Sequence, residues 1–226
     1  MNRKTDYIGL PIMITNFIPL IVAILISLVA MGMVFFSGFQ TKYWLLILSI
    51  FALAFSSNYN LTHNPHLIIW LCNFTILFGI GLCFRFHQIL FDVFFYFSWT
   101  GSLFTLLIFD NPVAPKMGTY PVAFIGFVLK HSIPLLLTVY FIKTERKRLS
   151  VNAMRTSLSV MAGYTFFIAI YNIFFNQNIL DLRYPTLGIE QLFGPWPVYV
   201  LINIMLTILW YKTIDIITNK LGLIHT

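Results

Sequence analysis

Apolar residues in this chain fall in long blocks rather than at every second or every third-and-fourth position. The blocks cover about residues 12–36, 43–60, 66–84, 88–109, 121–142, 154–175 and 195–215. Most approach the roughly 20 residues that a helix needs to cross a bilayer. A helix apolar on all faces has lipid or protein around it, not water. The second block is the weakest. Its clean run from Trp44 to Phe55 fades into Ser56, Ser57, Asn58 and Asn60. It either crosses, giving seven spans, or stops short, giving six. Both readings are all-α, a polytopic transmembrane helical bundle. No linker, repeat or low-complexity tract divides the chain, so residues 1–226 read as one integral membrane domain. Arg3 and Lys4 precede an apolar stretch longer than a signal-peptide core, with no small-x-small site behind it, so no cleaved leader is expected.

Composition agrees. Of 226 residues, 59% are hydrophobic and 9% charged, against about 45–50% and about 25% in soluble domains. Such a chain cannot cover a water-facing surface. A soluble enzyme, a nucleic-acid module and a disordered regulator are excluded. The net charge of +7 then reads as loop bias rather than nucleic-acid affinity. With seven spans, nine Lys/Arg residues fall on one side and four on the other; with six, the split is ten against three. The richer side carries Arg85, the run Lys143–Arg155, Lys212 and Lys220. It is expected to be cytoplasmic, with the C-terminus, in a multi-pass protein of the cell membrane. The basic loop reads as a topology determinant.

Ionisable side chains within spans are rare and usually functional. Asp92 lies near the cytoplasmic end of its block, where Arg85 or His87 is an expected partner. Lys130 and His131 lie near the middle of theirs. Lys130 lies far from the outer boundary for its side chain to snorkel, unless the helix is offset and lets it reach water. Otherwise it must face a wet cavity, lose its proton, or meet an anion from outside the chain, such as a phospholipid phosphate. Pro134 frees the Lys130 carbonyl from its helical partner. Cys72 begins a stripe of small residues with Thr75, Gly79 and Cys83. Such a stripe lets helices approach closely. Cys72 becomes a nucleophile only with a base or cation beside it, and His131 and Lys130 come from the same half of the membrane. A Cys72–Cys83 disulfide is excluded, because the residues sit about 16 Å apart along one helix. Polar or indole side chains at Asn73, Trp99, Thr100, Asn172, Trp196, Tyr199 and Asn203 are candidates to line an outward cavity for substrate. His63 and His66 lack partners at metal-binding spacing, so no metal is expected. No cofactor motif is present.

The segment Gly194-Pro195-Trp196-Pro197-Val198-Tyr199 is the most distinctive. It resembles the GPWPWY-like motif of YwaF-type bacterial membrane proteins, which are related to eukaryotic transmembrane lipid acyltransferases. Further likenesses follow the family's order. Leu71-Cys72 is similar to the end of its LPLHLC motif, and Tyr96 to Leu103 to its YFWGxGGxxQ stretch. Phe127 to Pro134 resembles its FxxxHG helix, and Asn176 to Pro185 its NYMYLxxxP loop. There are departures: Ile68-Ile69-Trp70 stands before the cysteine, removing a polar neighbour, and Ser132 follows the histidine. The resemblance covers about residues 66–215. It implies acyl transfer between phospholipids, with Cys72 as nucleophile and His131 as its intramembrane partner. Lys130 would hold a phosphate or an oxyanion. The partners expected are membrane lipids, with a membrane protein as a further candidate and no nucleic acid. The alternative is a non-catalytic binding or transport subunit that uses the same cavity.

Overall fold

Six of the apolar blocks coincide with helices. The structure, a computed structural model, describes residues 32, 40–107, 114–116, 118–185 and 188–224. Apart from Gly32, the expected span 12–36 lies outside the described residues. Helix α1 runs over Gln40–His63, and α2 over Leu71–Phe84. Helix α3 occupies Gln88–Leu107, α4 Pro121–Lys143, α5 Ala153–Phe174 and α6 Val198–Lys220. No strand occurs among the described residues. Five of these helices are long and apolar enough to cross a membrane, α2 being the shorter exception. The chain is a polytopic transmembrane bundle. The block that fades at Ser56 does not stop there. Its helix continues to His63, 24 residues in all, or about 36 Å at 1.5 Å per residue. Of the polar side chains that weaken its pattern, Ser56 and Asn60 are buried, as is Ser49 a little earlier, while Ser57 is half-buried and Asn58 exposed.

Helix α4 is the hub, with 67% of its most apolar window buried, against 11% for α6, which faces outward. Leu137 and Phe141 of α4 pack in one core with Phe91, Phe94, Tyr96, Leu82 and Ile76, all essentially inaccessible. Two glycines set the close approaches. A Cβ on Gly79 would sit 3.0 Å from Leu137 Cδ1 and 3.0 Å from the Phe94 ring. One on Gly126 would sit 3.0 Å from Phe55 Cβ, so α1 lies tight on α4.

The basic end of the bundle is tied together by Asp92. Its carboxylate accepts from Gln88 Nε2 at 2.9 Å, Ser150 N at 3.1 Å and Ser150 Oγ at 2.6 Å. The expected partners Arg85 and His87 are replaced by neutral donors, because the loop after α4 folds back over α3. Its Leu149 N donates to Leu223 O at 2.9 Å, fastening the tail of α6 to the same loop. Lys42 pairs with Glu145 at 2.8 Å.

Within α3, Ser98–Ser102 forms a π-helical turn. Trp99 spans three helices there: its Nε1 donates to Thr138 Oγ1 at 3.1 Å, and its carbonyl accepts from Trp210 Nε1 at 2.9 Å.

Candidate functional site

The block at 66–84 is not one continuous helix. Asn64 caps a 3-10 turn over Pro65–Ile69, its side chain accepting from His66 N at 3.2 Å. Trp70 is then extended (φ −64°, ψ 143°), and α2 starts at Leu71. Side chains cause the break. A continuous helix would pair the Leu67, Ile68 and Ile69 carbonyls with the amides four residues on. Instead Asn73 Nδ2 donates to Leu67 O and Ile68 O, both at 2.9 Å. Tyr164 Oη, from α5, donates to Ile69 O at 2.7 Å. The amides of Leu71 and Cys72 are thus deprived of their helical acceptors. Cys72 sits at the second residue of an α-helix rather than one and a half turns inside one. First-turn amides of a helix favour negative charge.

Cys72 is a free, half-buried thiol. It lines a cavity of about 40 Å³ together with Trp70, Lys130, His131, Phe127 and Thr105. The far wall comes from α1, through Ser56, Tyr59 and Asn60. The three residues singled out for chemistry, from α2 and α4, therefore meet at one cavity. Its volume suits a few water molecules.

His131 is buried, and its Nδ1 lies 2.7 Å from Phe127 O. A carbonyl can only accept, so Nδ1 carries the proton in the neutral ring and Nε2 keeps its lone pair. That nitrogen has no hydrogen-bond partner among the described residues. Lys130 is 3% exposed. Its Nζ donates to Asn73 Oδ1 at 3.0 Å and lies 5.9 Å from the Phe127 ring centre. Asn73 is therefore a two-sided brace: its amide nitrogen holds the broken backbone and its oxygen holds the lysine. Lys130 thus meets a neutral acceptor as well as the cavity. Trp70 Nε1 is buried with no hydrogen-bond partner among the described residues.

A model of the TMEM164 family matches residues 11–214. The chain belongs to that family. No curated protein and no solved structure matches it. The match spans both the cavity and the loop that carries Trp196, so both regions belong to the TMEM164 pattern.

The other residues expected at the site of this TMEM164 chain are placed elsewhere. Asn172 encloses the Ile179 peptide, donating to its carbonyl and accepting from its amide, both at 2.9 Å. Tyr199 Oη donates to Asp181 O at 2.7 Å, and Trp196 Nε1 to Leu182 O at 3.0 Å. Asn203 donates to Glu190 Oε1 at 2.9 Å. Together they shape the connection between α5 and α6. Trp196 and Asn203 also line a separate apolar cleft of about 760 Å³ between those two helices. Thr100 is buried in the π-helical turn, and Ser102 Oγ beside it has no hydrogen-bond partner among the described residues. Depth along the membrane does not decide which way a side chain points around its helix, and that separates these residues from the Cys72 cavity. His66 Nδ1 lies 2.6 Å from Tyr171 Oη, while His63 stacks on Tyr59. Trp70 and Tyr164 escape the sequence reading. An aromatic in an apolar block gives no sign of its polar atom's surroundings.

Proposed function

We propose that the chain transfers acyl groups between membrane phospholipids through a Cys72–His131 pair. Cys72 Sγ bonds to the ester carbonyl carbon while His131 Nε2 takes the thiol proton. Collapse breaks the ester C–O bond, and the leaving alcohol takes that proton back. The thioester then passes its acyl group to an acceptor hydroxyl by the reverse steps, restoring the thiol. Lys130, with one proton committed to Asn73, offers the others to a lipid phosphate. The observation that carries this reading is the shared cavity of Cys72, Lys130 and His131, with the tautomer of His131 set by the Phe127 carbonyl. The resemblance of Leu71-Cys72 and of Phe127 to Pro134 to YwaF-type motifs supports it. The basic end is assigned to the cytoplasm of the cell membrane by the positive-inside rule, which turns the cavity toward the outer leaflet.

The test is transfer of an isotope-labelled acyl chain from phosphatidylcholine to a lysophospholipid in proteoliposomes. The wild type transfers label, while Cys72→Ser and His131→Ala do not. Full transfer by Cys72→Ser overturns the proposal. A second reading, a lipid-binding subunit without chemistry, is favoured by the 760 Å³ cleft. It predicts lipid retention by Cys72→Ser and no transfer by any form. For the orientation, a reporter fused at Ser150 is expected to be active only on the cytoplasmic side.

A further inference from the structure

Acyl transfer by a thiolate puts a negative charge on the carbonyl oxygen, and that charge needs a donor fixed in advance. Resting on the Cys72 reading above, we propose that the Trp70 indole N–H is that donor, acting with the main-chain N–H of Cys72 to hold the oxyanion.

Two separate observations lead there. The first is an unmet hydrogen bond. Trp70 Nε1 is shielded from solvent and has no partner among the described residues, although Trp70 lines the same cavity as Cys72, Lys130 and His131. A buried indole N–H is costly to leave without an acceptor. Two half-buried indoles of the bundle's centre have theirs: Trp99 bonds Thr138, and Trp210 bonds the Trp99 carbonyl. A carbonyl oxygen entering beside Cys72 would relieve the deficit. The second observation is the break in the backbone. Asn73 and Tyr164 occupy the carbonyls of residues 67–69, which withdraws the Cys72 amide from helical pairing. Three side-chain bonds thus hold in place the short segment, Trp70 to Cys72, that carries both donors and the thiol. Lys130 is left to the phosphate, since its ammonium is already drawn toward Asn73.

The chemistry separates this role from mere packing. Attack on an ester builds an oxyanion, whereas alkylation by iodoacetamide displaces iodide and builds none. The full-length protein in detergent micelles is treated with a short-chain p-nitrophenyl ester, and separately with iodoacetamide. Nitrophenolate release and the mass of the Cys72 peptide give the two rates. Trp70→Phe is expected to slow acylation about 100-fold or more while leaving alkylation of Cys72 unchanged. Replacement of Trp70 by 3-benzothienylalanine, which keeps the bicyclic shape with sulfur in place of N–H, is expected to do the same. It also carries the test if the phenylalanine variant fails to fold. Acylation of either variant at the wild-type rate, with Cys72→Ser inert, overturns the oxyanion role and leaves the nucleophile standing. Equal slowing of both reactions makes Trp70 a packing residue and overturns the role as well. Nitrophenolate release by Cys72→Ser at the wild-type rate overturns both assignments together.

Discussion

Two polar clusters of this bundle have opposite economies of hydrogen bonding. In the connection between α5 and α6, the side chains of Asn172, Trp196, Tyr199 and Asn203 are committed to neighbouring backbone or to Glu190. Around Cys72 they are not. Lys130 has one of its three protons placed, His131 one of its two nitrogens, and Trp70 none of its single donor. The first cluster is finished by folding. The second keeps capacity for something that arrives later. The most distinctive stretch of the sequence, Gly194 to Tyr199, falls in the finished cluster. A memorable motif can therefore mark a difficult piece of architecture, here a connection that must cap two helices and satisfy its own carbonyls.

The comparison can be broken in four ways. The largest effect belongs to the open cluster. Cys72→Ser and His131→Ala should each lower acyl transfer in proteoliposomes by at least about 100-fold, and the double variant should be little worse, because nucleophile and base act as one unit. Next comes the brace. Asn73→Ala strips Lys130 of its acceptor and releases two carbonyls, so denaturation in detergent should show a loss of about 2–3 kcal/mol. Adding Lys130→Met should restore part of that loss, since the unpaired ammonium is then gone. An additive double variant would mean that the 3.0 Å contact carries no coupling. Third, Gly79→Ala forces a methyl against Leu137 and Phe94 and should cost about 1–2 kcal/mol, read as a lower melting temperature. The smallest effects belong to the finished cluster. Tyr199→Phe should cost about 1 kcal/mol of stability and leave transfer per folded molecule unchanged. A large loss of transfer from Tyr199→Phe would move the site into the α5–α6 connection.

How much of this is legible in the sequence follows from what sets each feature. Blocks of apolar residues set the helices directly, so six of them appear where composition puts them. Helix α1 is longer than its pattern suggests, because a buried serine in a helix can bond back to its own backbone, as Ser49 Oγ does to Leu45 O. That Cys72 and His131 line one cavity is legible from depth along two helices. The break at Trp70 is not. It depends on Tyr164, 95 residues away from the carbonyl it takes, and on an asparagine whose side chain turns back on the preceding turn. Thr100, Trp99 and Tyr199 do not line the cavity, and only packing decides which way a side chain turns around its helix. Asp92 finds Ser150 rather than Arg85 because the fold of the loop at 143–152 brings a hydroxyl and an amide to it.

The cleft between α5 and α6 is bounded at one end by Leu180, Leu182 and Trp196, while at the basic end Leu149 fastens the α6 tail to the loop before α5. Between those ties its walls include Phe166, Ile204 and Ile208, whose side chains remain exposed. Met161 lines the same cleft and packs against the cluster that contains Leu71, the neighbour of Cys72. A guest that entered such a cleft from the bilayer would do so by diffusion in two dimensions. Occupancy would then follow the mole fraction of that guest within the bilayer, not its concentration in the surrounding water. Diluting the membrane with an inert lipid would empty the cleft even while the total amount of guest in the tube stayed the same.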